Sequence, residues 1–286
     1  MPEGDTILRS ARALHAWLAG REITAARSVR ARVPPERLVG RRVERVEARA
    51  KHLLVHLDSG EVLHTHLRMD GSWHVYSTGD RWRKPGWQAR LVLEAGERVA
   101  VCFNAPVVEL LTAADLAAHP SISALGPDVL VEPLDLGEVR RRAATRPADL
   151  AVGELLLDQR VVSGIGNIYR CESLHACRVD PWAPWLPLGG DGLDRLVTAA
   201  ARLMRAAVAP GGGRVRPAVY GRAGRPCPRC ATLVRCAPLG RQPRDVWWCP
   251  GCQRAAGSAD AAPAQLPRHP AAGVEDQASP GERPQA

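Results

Sequence analysis

Eight cysteines, a proline at position 2 and two lysines among 39 basic residues are the features whose type and placement could do chemistry. Cys227-Pro-Arg-Cys230 and Cys249-Pro-Gly-Cys252 stand 18 residues apart. At that spacing two tight turns each present two thiolates to one tetrahedral zinc ion, with room for a β-hairpin between them. Four thiolates close the coordination shell, so the expected zinc is structural and holds the hairpin. Cys102, Cys171, Cys177 and Cys236 lack such a pairing and read as ordinary thiols.

Pro2 becomes the first residue if the initiator Met is removed, as is usual before a small residue, and then carries a free secondary amine. An α-amino group titrates at about 7.7–8.0, and desolvation or a neighbouring cation lowers it further. A secondary amine that attacks a sugar C1′ forms a cationic iminium, an electron sink for elimination. Glu3 beside it could supply a general acid, and Lys51 a nearby cation. Lys51 and Lys84 are the two lysines, and only an amine changes protonation easily, so a lysine kept against arginine is a candidate for that work. Met-Pro-Glu carries no signal by itself. Gly164-Ile-Gly166-Asn167 is either a close backbone approach to phosphate at a helix N-terminus or a helix-packing turn. Arg160 and Arg170 flank it.

The elements that must position these groups fall into two halves. Ile7, Ala11, Leu14 and Leu18 recur at helical steps after Asp5, which predicts an amphipathic helix over 5–18. Short Val-, Leu- and Ile-rich segments follow at 42–49, 52–57, 61–66, 72–76, 89–94 and 98–103, with hairpin turns at Asp58-Ser59-Gly60 and Ala95-Gly96. That spacing predicts an antiparallel β-sandwich. From residue 112 helices are expected at 113–118, 136–144, 152–157, 167–176 and 193–207. The expected organisation is α+β and multidomain: a β-sandwich domain at 1–118, a linker at 119–133 marked by Pro120, Gly126-Pro127 and Pro133, a helical domain at 134–225, and a zinc ribbon at 226–254. Residues 255–286 have almost no large apolar side chains and are expected to be disordered.

A net charge of +9 and a pI near 9.6 favour a polyanionic partner. The ribbon adds Arg225, Arg229, Arg235, Arg241, Arg244 and Arg254, a density that suits phosphate contact. No run of 18 apolar residues exists and the N-terminus has no basic patch followed by an apolar run, so membrane insertion and secretion are not expected. The expected location is cytoplasmic, near the nucleoid.

Taken together and in order, MPEG at the start, AKHLL at 50–54, HLRMDGSW at 66–73, LDQRVVSGIGNIY at 157–169, VYGRAGRPC at 219–227 and WCPGCQ at 248–253 resemble the formamidopyrimidine-DNA glycosylase/endonuclease VIII family. The resemblance spans roughly 1–254. It implies a helix–two-turn–helix motif at the GIGNIY turn and a zinc finger at the four cysteines. It also implies roles: Pro2 as Schiff-base nucleophile, Glu3 as proton donor to the deoxyribose ring oxygen, and Lys51 as the catalytic lysine. Asn167 and Arg244 would grip phosphates at the extruded nucleotide. His66, Arg160, Tyr220 and Arg222 are further DNA-contact candidates. The implied reaction is N-glycosidic cleavage followed by loss of the 3′ and then the 5′ phosphate on damaged DNA, double- or single-stranded, by a monomer. That chemistry calls for no metal or nucleotide cofactor, so zinc is the one cofactor expected.

Substrate choice follows from departures. Where purine-directed members carry an Arg- and Phe-containing wedge, this chain reads Asn104-Ala-Pro106-Val107-Val108. Met69 matches another wedge residue and could enter the stack or pack under a hairpin. The stretch PGGGRVRPAV at 210–219 is shorter than the base-capping loop of 8-oxoguanine enzymes. Both features favour the endonuclease VIII branch, its actinobacterial-type second paralogue in particular, and oxidised pyrimidines. Position 6 is Thr where the family often has Glu, and the longer ribbon leaves Arg241 as an alternative to Arg244. Two other readings stay open: a non-catalytic zinc-ribbon protein that binds damaged or single-stranded DNA, and a purine-directed glycosylase.

Overall fold

The computed structural model describes residues 2–28, 33–212 and 216–254. Helix α1 (Gly4–Leu18) is followed by β1 (Ala25–Ser28), β2 (Val43–Arg49), β3 (His52–Leu57), β4 (Val62–His66), β5 (Ser72–Ser77), β6 (Ala89–Ala95), β7 (Arg98–Phe103) and β8 (Val107–Leu111). The strands form two antiparallel four-stranded sheets, ordered β2-β3-β4-β8 and β1-β6-β7-β5. Ile7, Ala11, Leu14 and Leu18 bury one stripe of α1 against inward residues of both sheets, Val55, Leu63, Leu93 and Cys102 among them. Burying that stripe is what fixes α1, and with it residues 2–4, beside the sandwich.

Two strands were absent from the sequence reading, and both lie at sheet edges. Strand β1 is four residues long and half-exposed, without alternation to reveal it. Strand β8 runs straight into Thr112, whose side chain caps α2 (Ala113–Ala118) in a reciprocal capping box with Asp115, so no turn residue announces its end.

The segment expected as a linker is ordered. It carries α3 (Pro120–Ser123), and Asp128 reaches back to accept the Ala50 N–H at 2.7 Å. Val129 donates to Ser163 O, and Ser163 donates to Pro127 O, so the strap is tied to both halves of the chain.

Helices α4 (Leu136–Ala143), α5 (Val152–Leu155), α6 (Asn167–Cys177) and α7 (Gly189–Val208) enclose a second core around Val129, Leu156, Ile165, Leu174, Leu196 and Met204. Helix α7 begins a turn before the expected Leu193. A Cβ at Gly190 would meet Arg140 Cδ at 2.9 Å and one at Gly192 would meet Leu188 Cβ at 2.9 Å, so close packing explains glycines that otherwise argue against a helix. Strands β9 (Arg235–Leu239) and β10 (Arg244–Trp248) form the C-terminal hairpin, packed on Cys171 and Val219. Among the described residues no helix is long and apolar enough to cross a membrane. The expected disordered tail, Met1 and residues 213–215 of the shortened loop lie outside the described residues.

Candidate active site

Glu3 is the residue around which the two halves meet. Its backbone starts α1, but its side chain caps α6: Oε2 accepts from Gly166 N at 2.9 Å and Tyr169 N at 3.4 Å, and Oε1 accepts from Ile168 N at 2.7 Å. Gly4 N donates to Gly164 O at 3.0 Å beside it. A carboxylate on the first-turn N–H groups of a helix satisfies donors that have no intrahelical partner. The sequence reading left those donors open to phosphate; Glu3 engages the Ile168 and Tyr169 N–H groups instead. The glycines are required by this approach. A Cβ on Gly166 would fall 2.3 Å from Glu3 Cδ, and Gly164 adopts φ +97° against Val129. Burial pushes the Glu3 carboxyl above its usual range, against the opposing backbone hydrogen bonds and the Lys51 charge.

Lys51 follows Ala50, which takes φ +55° in the turn joining β2 to β3 and is fixed there by Asp128. The turn directs Lys51 Nζ across the junction, where it donates to Ile165 O at 2.5 Å. Burial brings the amine down to about 8, with Glu3 opposing and Arg244 assisting. His66, at the end of β4, accepts from Arg68 N through Nδ1 at 3.2 Å. Burial and the Arg68 charge lower it to about 4, so the ring is neutral at pH 7 and carries its proton on Nε2.

Pro2, Lys51, His66, Met69, Arg160 and Arg244 all line one cavity of about 820 Å³, together with Arg68, Arg170 and Arg241. Lys51 and five arginines face two acids, of which Glu154 accepts the backbone N–H of Arg241 and Asp158 pairs with Arg146 at 2.7 Å. The wall therefore presents cations, which suits a polyanion. Met69 is 61% exposed and does not pack under the hairpin. Both candidate hairpin arginines, Arg241 and Arg244, reach this cavity.

Other expected contacts are arranged differently. Asn167 donates through Nδ2 to Asp245 O at 2.9 Å, and its Oδ1 accepts from Arg170 Nη2 at 2.5 Å. Its amide thus ties α6 to the hairpin. Tyr220 packs at a tilt against Trp247 with ring centroids 4.6 Å apart, and Arg222 donates to Pro226 O. Neither is among the residues lining the cavity. In the sequence Arg170 reads only as a flanking charge. It is fully buried and also donates to Asp245 O at 2.8 Å, joining Asn167 to the backbone next to Arg244.

The sulfurs of Cys227, Cys230, Cys249 and Cys252 all lie within 4.8 Å of one another. Sγ–Sγ separations of 3.3 Å for Cys230–Cys249, 3.4 Å for Cys230–Cys252 and 3.9 Å for Cys227–Cys252 bracket the roughly 3.8 Å edge of a tetrahedron with Zn–S bonds of about 2.3 Å. Arg229 N donates to Cys227 Sγ at 3.4 Å, and hydrogen bonds from Thr232 bring the Cys230 thiol down to about 6.

A helix-anchored β-sandwich and a helical half, closing with a four-cysteine hairpin on one cationic cavity, define a class of nucleic-acid-facing protein. Residues 1–106 match the formamidopyrimidine-DNA glycosylase N-terminal domain, and residues 125–218 match its H2TH domain. The chain is 40% identical over 268 residues to the probable endonuclease 8 2 of Streptomyces coelicolor, covering 88% of this chain and 94% of that one. It is 34% identical to the DNA-(apurinic or apyrimidinic site) lyase Nei2 of Mycolicibacterium smegmatis, covering 89% and 100%. The fold matches a crystal structure of Lactococcus lactis formamidopyrimidine-DNA glycosylase non-covalently bound to AP-site DNA, with a TM-score of 0.76 at 21% identity, covering 89% of this chain and all of that one. The chain belongs to the formamidopyrimidine-DNA glycosylase/endonuclease VIII family.

Proposed function

We propose that this protein is a bifunctional DNA glycosylase and abasic-site lyase of base excision repair whose nucleophile is the Pro2 imino nitrogen. The observation that carries the reading is the convergence of Pro2 and Lys51 on one cationic cavity, with the buried Glu3 carboxyl next to Pro2 in the chain and within reach of the Lys51 charge. With Met1 removed, the Pro2 nitrogen attacks C1′ of an extruded nucleotide, and the base departs with its bonding pair and takes up the proton that the amine gives up. Glu3, held towards its protonated form by burial, gives a proton to the ring oxygen and opens the sugar. The resulting iminium accepts electrons as the C2′ proton leaves, expelling the 3′ phosphate, and a second elimination expels the 5′ phosphate. Lys51, cationic at pH 7, lowers the amine pKa and pairs with DNA phosphate. A base must leave the stack before C1′ is reachable, and the arginines on the cavity wall hold the kinked strand.

Zinc is the metal that the four-cysteine cluster fits. Bound there it closes the hairpin on a full thiolate shell and so holds β9 and β10, and with them Arg241 and Arg244, in place. Oxidised pyrimidines are the favoured substrates. Residues 107–108 belong to strand β8 and no arginine–phenylalanine wedge projects there, while exposed Met69 on the cavity wall is the apolar side chain free to enter a stack.

Borohydride reduction during incubation with abasic-site DNA tests the mechanism. Wild-type protein lacking Met1 by mass spectrometry should form a covalent adduct. Pro2→Gly should cut adduct formation by roughly a thousandfold while still binding the same DNA. A wild type that forms no adduct, or a Pro2→Gly that forms it at the wild-type rate, overturns the assignment.

A further inference from the structure

A cluster of histidines occupies the outer face of the β2-β3-β4-β8 sheet, beneath α3 and away from the main core. His64 pairs across strands with Glu109, and His52 with His66. His64 Nδ1 lies 2.7 Å and His119 Nε2 lies 3.1 Å from the same oxygen, Glu109 Oε1. We propose that His64, Glu109 and His119 form a second metal site, distinct from the cysteine cluster, which takes a divalent transition ion of the zinc class.

The donor set of two imidazoles and one carboxylate is that of open zinc and related sites, with a fourth position left for water or an anionic oxygen. The three donor atoms lie within 4.8 Å of one another. His64 is fully buried, whereas the side chains of His119 and Glu109 are 20% and 34% exposed, so the outer two can adjust about the fixed one. The outward ring nitrogens are also held. His64 Nε2 meets His52 Nδ1 at 2.8 Å, and His119 Nδ1 meets Ser121 Oγ at 3.0 Å. Metal-binding histidines are oriented through their second nitrogen in this way. His64 and Glu109 stand on paired strands, rigid supports for a coordination geometry. A cavity of about 660 Å³ opens onto the three ligands and gives an ion a route in; Lys51, His66 and Arg160 also line it.

Cobalt substitution separates the two sites, because thiolate ligands give intense ultraviolet charge-transfer bands and His/carboxylate ligands give weak visible bands alone. Metal-free full-length protein titrated with Co²⁺ should first develop the thiolate bands. A second equivalent should then bind without adding to them. Glu109→Gln and His119→Asn should each weaken the second event at least about tenfold and leave the first unchanged, which also reports that the variant is folded. His52→Phe, which removes only the partner of His64, should weaken it less. Saturation at one equivalent, or a second equivalent unaffected by Glu109→Gln and His119→Asn, overturns the proposal.

Discussion

On the inner side, at the junction of the two halves, the Glu3 carboxylate meets three backbone N–H groups and Lys51 meets one carbonyl, whereas on the outer side, along the cavity wall, Met69, Arg160, Arg241 and Arg244 extend exposed side chains. The inner groups are positioned by contacts between residues more than a hundred positions apart, and each has a partner that fixes its direction. The outer groups stand on loops between elements and, for Arg244, at the start of a strand, with exposed side chains. Ordering costs for the first set are met on folding, while those for the second fall due on binding DNA. Inner substitutions should therefore change stability and rate together, and outer ones should change affinity with the fold intact.

Gly166→Ala puts the largest strain on that contrast. The new Cβ would sit 2.3 Å from Glu3 Cδ and 2.4 Å from Cγ, so the carboxylate must vacate its place and leave N–H groups of the turn and of α6 without their acceptor. A loss of about 2–4 kcal/mol in denaturant unfolding is expected from unmade buried hydrogen bonds. The lyase rate should fall on the order of a hundredfold or more with the loss of a placed acid. Glu3→Gln, which keeps the shape, should lose a comparable rate at smaller cost in stability. A Gly166→Ala enzyme of normal stability and rate would mean that the inner side is not preorganised by this contact.

The legibility of the molecule divides along the same line. Elements whose residues lie next to one another in the chain were readable: α1 from its apolar stripe, six of the strands from Val- and Leu-rich runs between turns, the cysteine cluster from C-x2-C spacing. So were individual chemical candidates such as Pro2 and Lys51, through residue type and resemblance. What could not be read is pairing at long range. Nothing near Gly166 announces that Glu3 fills the helix terminus, and nothing near Asn167 announces that Asp245 O and Arg170 engage its amide. The outer-face histidines did leave a signal. In Val62-Leu-His64-Thr-His66 the alternation puts His64 and His66 on one face, opposite buried Leu63, but which residues cover that face is set by β8 and α3, elements that the sequence did not reveal.

Lys51 belongs to the inner side yet also lines the cavity. Its amine titrates at about 8 rather than the usual 10.5. Between those values the unfolded chain binds more protons than the folded one, so this group makes stability rise with pH from 8 towards 10.5. Its effect on DNA binding has the opposite sign, since the cation is lost as pH rises through 8. Affinity for a non-cleavable abasic analogue, measured against salt, should show a log–log slope shallower by about 0.9 at pH 9 than at pH 7, the value of one phosphate contact on duplex DNA. Lys51→Arg should keep the steeper slope at both. A wild-type slope that does not move would place the Lys51 ammonium away from phosphate.

The smallest effects belong to the outer side, and they decide between two residues that the sequence left as alternatives. Arg244 begins β10 opposite Leu239, while Arg241 lies in the intervening turn, where its backbone N–H is held by Glu154. Both guanidinium groups are exposed on the cavity wall, so both are free to contact phosphate at no cost to the fold. Arg244→Ala and Arg241→Ala should each leave the unfolding free energy within about 0.5 kcal/mol of wild type. Each should reduce the salt slope by about 0.9, and the double variant by about twice that, since counterion release is additive over separate phosphates. If only Arg244→Ala changes the slope, the clamp is a single residue at the strand end; if only Arg241→Ala does, the contact lies in the turn. A slope that neither variant alters would remove the hairpin from the DNA interface and leave the inner side as the whole of the site.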